Sequence, residues 1–209
     1  MMRVIHIVIA VIVIVGIAAV ATVVAQGDTV EEKSTGKQFP KTVSFAGDYK
    51  TFNLEVTGVG LRKKLWAKVY GMAHYMEGGT TYESKDAALT AALSDQYAKQ
   101  ITMIFVRDVE GQKIQDSFRE GFEKNASKSE MDEISVMVEQ FVAYFFDDVK
   151  KGHKVVFQVA PGGSVNTIIH GEEQGPIKSV TFARVLWRIW LGKHSPVDRN
   201  RLVEMAVKD

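Results

Sequence analysis

The sequence contains no cysteine among its 209 residues. This absence excludes a disulfide framework, a thiolate zinc site, a cysteine nucleophile and a lipid-modified N-terminal cysteine. The chain also lacks an excess of one charge, because 26 Lys and Arg residues are balanced by 25 Asp and Glu residues. A protein that binds nucleic acid through phosphate contacts usually carries a basic excess, so we expect no nucleic-acid partner.

Motifs for metal, nucleotide and serine chemistry are also missing. Gly58-Val59-Gly60 lacks the third glycine of a dinucleotide-binding turn, so the glycines are expected to shape an ordinary turn. Ser164 lacks the strand, elbow and helix context of a hydrolase nucleophile and is predicted to lie in a hairpin. The histidines are scattered, without a ligand spacing beside a carboxylate: His6, His74, His153, His170 and His194. We therefore predict no metal, no cofactor and no catalytic serine.

The chain begins with an apolar run over residues 4–25, which follows Arg3 and is interrupted only by His6 and Thr22. A cationic start, an apolar stretch and a small-residue ending are typical of a signal peptide, here residues 1–25 with cleavage after Ala25. A retained anchor is the alternative, because such a run is long enough to cross the roughly 30 Å hydrocarbon core of a bilayer. Either way we expect an exported domain, with membrane attachment only through an uncleaved N-terminal segment.

The remaining residues predict a linker followed by one α+β domain. The 46% hydrophobic and 24% charged residues are ordinary values for a globular protein of one domain. Residues 26–38 contain Gly, Ser, Thr and charges around a single Val, which predicts a linker. The domain is then expected to span residues 39–209.

The apolar patterning indicates helices packed on one face of an antiparallel sheet. Alternation predicts strands between residues 39 and 75, and the apolar run 101–106 predicts a central strand covered on both faces. Ser84 is the expected N-cap of a short helix, and Ser195 that of a last helix. Helical spacing of apolar residues predicts helices over 111–125, 134–149 and 182–190, and turn residues predict a hairpin over 154–169. This order of elements is typical of an α+β fold.

Two sets of side chains admit both a structural and a ligand-binding interpretation. Arg62 begins a strand-like run in which Trp66, Lys68 and Tyr70 share a face by the period of two. If that face is exposed, Lys68 is solvated; if it faces a cavity, Arg62 offers a planar fork for a carboxylate and Tyr70 a hydroxyl donor. An aromatic stripe is expected to pack in the core, or to form the wall of an apolar cavity: Phe118, Phe122, Phe141, Phe145 and Phe146.

Three segments resemble the chalcone isomerase family in the right order and spacing. Residues 58–79, GVGLRKKLWAKVYGMAHYMEGG, are similar to its strand hairpin with a Gly-containing turn and an Arg. Residues 101–125, ITMIFVRDVEGQKIQDSFREGFEKN, and residues 182–202, FARVLWRIWLGKHSPVDRNRL, continue the likeness. The chain is similar in particular to the bacterial chalcone isomerase-like branch, whose members are typically exported.

The resemblance implies an open-faced β-sandwich, a curved antiparallel sheet with helices packed on one face and a ligand cleft between them. Chalcone isomerases cyclise a phenolic chalcone with an Arg, a Thr or Ser, a Tyr and an Asn. Here Arg62 matches the Arg, but Tyr70 replaces the Thr, and the other two positions fall at Ile114 and Gly121. A one-residue slip of that segment would expose Gln115 or Asp116 instead. Since Ile and Gly side chains cannot donate hydrogen bonds to a reacting ketone, no catalytic residue is predicted.

Non-catalytic members of the fold resemble fatty-acid-binding proteins, in which an Arg and a Tyr hold a carboxylate. The resemblance therefore implies that Arg62 and Tyr70 bind a small apolar carboxylic acid such as a fatty acid. An isomerase acting on a chalcone-like or other enone substrate is the first alternative, and an interaction protein without a small ligand is the second. Tyr75 is expected to pack in the sheet, and Lys68 and His74 to lie on the surface. The sequence does not indicate the oligomeric state.

Overall fold

A computed structural model describes residues 28–78 and 81–208. The predicted signal peptide or anchor, residues 1–25, lies outside this described part. Among the described residues, no helix is long and apolar enough to span a membrane. The strands of the described part are β1 Thr29–Glu32, β2 Lys37–Pro40, β3 Thr42–Ala46, β4 Thr51–Lys64, β5 Ala67–Glu77, β6 Lys99–Phe105, β7 Lys154–Ala160, β8 Ser164–Ile169 and β9 Glu172–Lys178. The α-helices are α1 Lys85–Leu93, α2 Gly111–Asn125, α3 Lys128–Ala143 and α4 Val180–Leu191.

Strands β3 to β9 form one antiparallel sheet in which every neighbour in sequence is also a neighbour in space. Strand β6 is the fourth of these seven strands, so the prediction of a central strand is confirmed. Its side chains are buried on both faces, Ile101 and Met103 towards the helices and Gln100 and Thr102 on the other side. Burial on both faces explains why this strand does not show the alternation of apolar and charged residues that a half-exposed strand would have.

The helices pack on one face of the sheet and bury the apolar residues whose helical spacing predicted them. Ile114, Phe118 and Phe122 of α2 are buried, as are Ile134 and Val138 of α3. The aromatic rings of this layer pack in edge-on and tilted pairs, for example Phe118 and Phe141 with ring centroids 4.9 Å apart. Ser84 caps α1 by accepting a hydrogen bond from the Ala87 N–H, as predicted. The prediction of helices on one face of a curved antiparallel sheet is confirmed.

The described part of the predicted linker, residues 28–38, differs from the expectation because it forms most of a β-hairpin. Strands β1 and β2 pair antiparallel, and Phe39 at the end of the hairpin is fully buried with Tyr75 in a small second core on the face away from the helices. The buried Glu32 carboxylate closes the turn by accepting hydrogen bonds from the N–H and hydroxyl of Thr35. With so few apolar residues the hairpin has almost no pattern of its own, and tertiary packing stabilises it.

Gly58 and Gly60 lie inside β4, so the prediction that they shape a turn is wrong. Two 3₁₀ turns near the C-terminus, Arg199–Leu202 and Glu204–Ala206, pack against this strand. A Cβ added at Gly58 would lie 2.0 Å from the Arg201 carbonyl oxygen. The glycine is therefore needed for close approach of two backbone segments, a requirement that only the tertiary structure reveals.

Two features near the C-terminal half also differ from the sequence-based expectation. The last helical segment begins after Asp198, whose carboxylate accepts from the Asn200 N–H, and not after Ser195. Strand β9 was not predicted, because its residues are polar and include Gly175 and Pro176. Proline removes a backbone donor and is tolerated at the edge of a sheet, where β9 lies.

His74 is fully buried, so the prediction that it lies on the surface is wrong. The Trp187 indole N–H donates to its Nε2 over 3.1 Å. Its Nδ1 therefore carries the proton and donates to the Thr57 hydroxyl, 2.6 Å away, which in turn donates to the Leu202 carbonyl. This chain of three hydrogen bonds ties α4, two strands and the C-terminal 3₁₀ turn together. Burial, assisted by the positive charge of Lys99, lowers the pKa of His74 to about 3.

We expect Gly58→Ala to lower the free energy of unfolding by more than about 2 kcal/mol, because its Cβ would collide with backbone that cannot move aside. Gly60→Ala is the matched control, since its Cβ would meet only the end of the Leu202 side chain at 2.9 Å. Urea unfolding of the two variants measures the difference. Equal destabilisation would contradict the close-approach argument.

The pKa of His74 predicts a loss of stability in acid. In the unfolded chain its pKa is near the ordinary 6.5, and in the folded chain about 3, so the unfolded state binds the extra proton between these values. The free energy of unfolding should therefore fall as the pH drops from about 6.5 towards 3, by up to about 1.4 kcal/mol per pH unit. Nitrogen-edited NMR at pH 5 should find a neutral imidazole protonated at Nδ1; a doubly protonated ring would contradict this assignment.

Candidate functional site

A cavity of about 610 Å³ opens between the sheet and the helices. Its walls come from the ends of β4, β5 and β6, from α2 and from the end of α4. The apolar part is formed by side chains that share burial under the helix layer: Val69, Met103, Phe105, Phe118, Phe145, Val155, Ile189 and Trp190. The cavity is therefore apolar in its interior, and its polar side chains can be considered separately.

Arg62 and Tyr70 both line this cavity. They are direct partners across the β4–β5 ladder, a register that places their side chains beside each other. Between the two interpretations left open by the sequence, the structure places both residues at the cavity. Tyr70 is only 9% exposed, whereas Arg62 is intermediate in burial and lies nearer the opening.

The Tyr70 hydroxyl is held in place by α4. The Trp190 indole N–H donates to its oxygen over 3.0 Å, which leaves the phenolic proton without an acceptor among the described residues. Burial raises the pKa of Tyr70, while the Trp190 N–H and the Arg62 guanidinium oppose that rise to a smaller extent. The phenol is therefore protonated at neutral pH and can donate one hydrogen bond into the cavity.

Arg62 has no carboxylate partner within the described part of the chain. One of its terminal nitrogens donates to the Lys63 carbonyl, and the guanidinium has further N–H groups to offer. The four acids that line the cavity all have lysine partners: Glu110 with Lys113, Glu120 with Lys124, and Asp108 and Asp148 with Lys150. Three further cations, Arg62, Lys64 and Arg107, also line the cavity and form no ion pair with any described acid.

Lys68 lies on the opposite face of the sheet from Tyr70, so the prediction that Trp66, Lys68 and Tyr70 share a face is wrong. The ladder pairs Arg62 with Tyr70 and Lys63 with Lys68, which leaves Val69 as the extra residue of a β-bulge. A bulge shifts the alternation by one residue, and Lys68 accordingly donates to the Ser34 carbonyl in the β1–β2 turn. Lys68 is exposed as predicted, and Trp66 lies in the hairpin turn beyond the strands.

The aromatic stripe is divided between core and cavity. Phe122 and Phe141 are buried without lining the cavity, whereas Phe118 and Phe145 are buried and also form part of its wall. Phe146 is exposed, so it belongs to neither set. Helical spacing indicates only which side chains are buried, and it therefore could not distinguish the phenylalanines of the core from those that also line the cavity.

A protein-family model described as chalcone isomerase-like matches residues 31–202. The chain belongs to the chalcone isomerase-like family. This confirms the resemblance inferred from the three sequence segments. The crystal structure of a fatty-acid binding protein from Arabidopsis thaliana is similar in fold, with a TM-score of 0.69 and 19% sequence identity. The alignment covers 86% of this chain and 96% of that one. No curated protein matches the sequence.

In this chalcone isomerase-like protein, the two positions at which the family's catalytic Tyr and Asn were expected line the cavity. Ile114 and Gly121 both contribute to the wall. Gln115 and Asp116, the residues that a one-residue slip would bring in, are bound elsewhere: Gln115 donates to the Phe145 carbonyl, and Asp116 accepts from Gln112. Ile114 and Gly121 therefore face the cavity, whereas Gln115 and Asp116 do not line it, and neither Ile114 nor Gly121 has a side chain that can donate a hydrogen bond.

Sequence reasoning missed Trp190 and Arg107 as members of the site. Trp190 stands in the apolar stripe of α4, which by its spacing indicates only a buried helix face, although a buried indole N–H needs an acceptor and so indicates a polar partner. Arg107 follows the central strand and had no pattern to distinguish it. Among the described residues, no cluster of three or more metal-ligating side chains is present.

We expect the Trp190–Tyr70 hydrogen bond to contribute about 1 kcal/mol to stability in this chalcone isomerase-like protein. A double-mutant cycle with Trp190→Phe and Tyr70→Phe, followed by urea unfolding, measures this coupling free energy. Trp187→Phe combined with Tyr70→Phe is the matched control and should be nearly additive, because Trp187 donates to His74 instead. Additivity of the Trp190 and Tyr70 substitutions would contradict the contact.

Proposed function

We propose that this protein binds a small apolar carboxylic acid, such as a fatty acid, and does not catalyse chalcone cyclisation. One observation carries the proposal: Arg62 and Tyr70 bring two unused donors together at an apolar cavity whose acids all have lysine partners. A carboxylate fits these donors, because a guanidinium fork and a phenolic O–H form charge-assisted hydrogen bonds with it. The apolar interior then accommodates the hydrocarbon part.

The size of the cavity agrees with such a ligand. Its volume of about 610 Å³ lies within the range of roughly 300–1,000 Å³ that is usual for small-molecule sites. Phe118, Phe145 and Ile189 supply apolar walls without a polar group in their side chains. The similar fold of a protein named as a fatty-acid binding protein supports the same class of ligand.

The donor set argues against chalcone isomerase activity. Stabilising the negative charge that develops on a reacting ketone requires hydrogen-bond donors in place, and Ile114 and Gly121 supply none from their side chains. Loss of a single such donor typically lowers the rate by about 10² to 10³. Two positions without donors therefore leave little of that catalysis.

The proposal includes export, as the first residues suggest. Residues 1–25 carry the charge and hydropathy pattern of a signal peptide, and the same run is long enough for a retained anchor. In both cases the binding domain acts outside the cytoplasm.

We expect fatty acid to copurify with the full-length chain, and Arg62→Ala to lose most of it because the fork that holds the carboxylate is removed. Native mass spectrometry with organic extraction of the parent and the variant measures the bound acid. Arg119→Ala is the matched control, since this half-buried arginine of α2 pairs with Glu139 and does not line the cavity. Tyr70→Phe should weaken binding by about fivefold, the equivalent of about 1 kcal/mol.

Two outcomes would contradict this proposal. If neither the parent nor the Arg62→Ala variant carries copurified fatty acid, and neither binds fatty acid that is added, the result would favour an interaction protein without a small ligand. Turnover of a phenolic chalcone by the parent, abolished in Arg62→Ala, would favour an isomerase.

A further inference from the structure

The tip of the β4–β5 hairpin exposes two large apolar side chains at the cavity opening. Leu65 and Trp66 form the two-residue turn between the paired residues Lys64 and Ala67, and each is 89% exposed. Both residues also line the cavity. An apolar pair so exposed is unusual on the surface of a folded domain and calls for a specific explanation.

The backbone conformation of this turn is energetically unfavourable for Leu65. Leu65 has a φ of 56°, in the left-handed region, while Trp66 does not. A positive φ at the first central residue alone is the pattern of a type II′ turn, which normally takes glycine there. A bulky leucine at positive φ is a backbone outlier, and such strain concentrates at functional positions. The chain thus retains an apolar side chain where glycine would be more stable.

The apolar tip is flanked by positive charge. Residues 62–68, RKKLWAK, contain four cations and no acid. None of Arg62, Lys63, Lys64 and Lys68 forms an ion pair within residues 28–78 and 81–208. Glu120 of α2 lies close enough for Arg62 and Lys64 to lower its pKa further, but its nearest partner is Lys124. Arg62 and Lys68 donate hydrogen bonds to backbone carbonyls, whereas Lys63 and Lys64, next to the exposed leucine and tryptophan, form no ion pair with a described acid and can face an external anion.

We propose that this tip, residues 62–68, docks on the surface of an anionic lipid bilayer. Tryptophan and leucine insert favourably at the boundary between headgroups and acyl chains, because one side of that boundary is apolar and the other is wet. Lys63 and Lys64 beside them, both exposed, contact the anionic headgroups, each contributing attraction that salt weakens. The combination of apolar and cationic side chains favours a lipid surface over a protein partner or a polyanion alone.

Docking in this way would place the cavity opening against the bilayer. Leu65 and Trp66 are part of both the tip and the cavity wall, so an apolar acid could pass from the bilayer into the cavity without crossing water. This exchange rests on the proposed function, whereas the contact with the bilayer does not.

The fluorescence of Trp66 can be used to test this proposal. Of the three tryptophans, Trp187 and Trp190 are buried and only Trp66 is exposed. The probe is a vesicle of phosphatidylcholine and phosphatidylglycerol, compared with phosphatidylcholine alone, in which part of the lipid carries brominated acyl chains that quench tryptophan fluorescence. The full-length chain is used throughout, and the spectrum of Trp66→Phe is subtracted to isolate the emission of Trp66. Any vesicle binding through residues 1–25 is the same in every variant, because these residues are unchanged.

On anionic vesicles we expect the Trp66 emission to shift to the blue and to be quenched, with both effects falling as salt is raised. Lys63→Glu combined with Lys64→Glu should reduce the apparent partition coefficient at least about tenfold. Lys85→Glu combined with Lys128→Glu is the matched control and should change it little. Both lysines are exposed, on α1 and α3, which do not line the cavity.

Three results would overturn the proposal. The first is Trp66 emission that vesicles leave unchanged even when the chain sediments with them, and the second is an equal loss of vesicle partitioning in both charge variants. The third is a blue shift that grows with protein concentration in the absence of lipid, which would indicate that a second copy of the chain covers the tip. Mass spectrometry of the bound acid is read separately. Quenching without bound acid would contradict only the ligand proposal, and bound acid without quenching would contradict only the docking proposal.

Discussion

The contact between α4 and strand β5 is the constraint on which most of this structure depends. Trp187 and Trp190, one helical turn apart, each donate an indole N–H to a side chain of the same strand, His74 and Tyr70. Both tryptophans are almost completely buried, so these bonds are made where water cannot replace them. The helix is thereby fixed in rotation and position over the sheet.

The two bonds have different consequences. Through His74 and Thr57, the first reaches the carbonyl of Leu202 and secures the C-terminal 3₁₀ turn over the glycines of β4. The second orients the Tyr70 hydroxyl at the cavity, beside Arg62. One helix therefore both closes the core and sets the direction of the Tyr70 hydroxyl at the cavity.

Much of the fold was predictable because its signals are local. The apolar spacing of Ile114, Phe118 and Phe122 predicts α2, and the apolar run of β6 predicts a strand covered on both faces. The β1–β2 hairpin and β9 lack such patterns, since packing against the rest of the molecule holds them in place. Arg62 and Tyr70 were identified through the family resemblance, whereas Trp190 was missed because an apolar stripe conceals the hydrogen bond of its indole.

By itself, the sequence determined the order and type of most elements, the balanced charge and the absence of cysteine chemistry, because these follow from residue identity and short-range spacing. Only the tertiary structure decided which residues face the cavity. The bulge at Val69 moves Lys68 to the face opposite Tyr70, and the approach of Arg201 requires a glycine at position 58 of β4. The first effect depends on how two neighbouring strands pair and the second on a contact between segments far apart in the chain, and the apolar spacing of the sequence encodes neither.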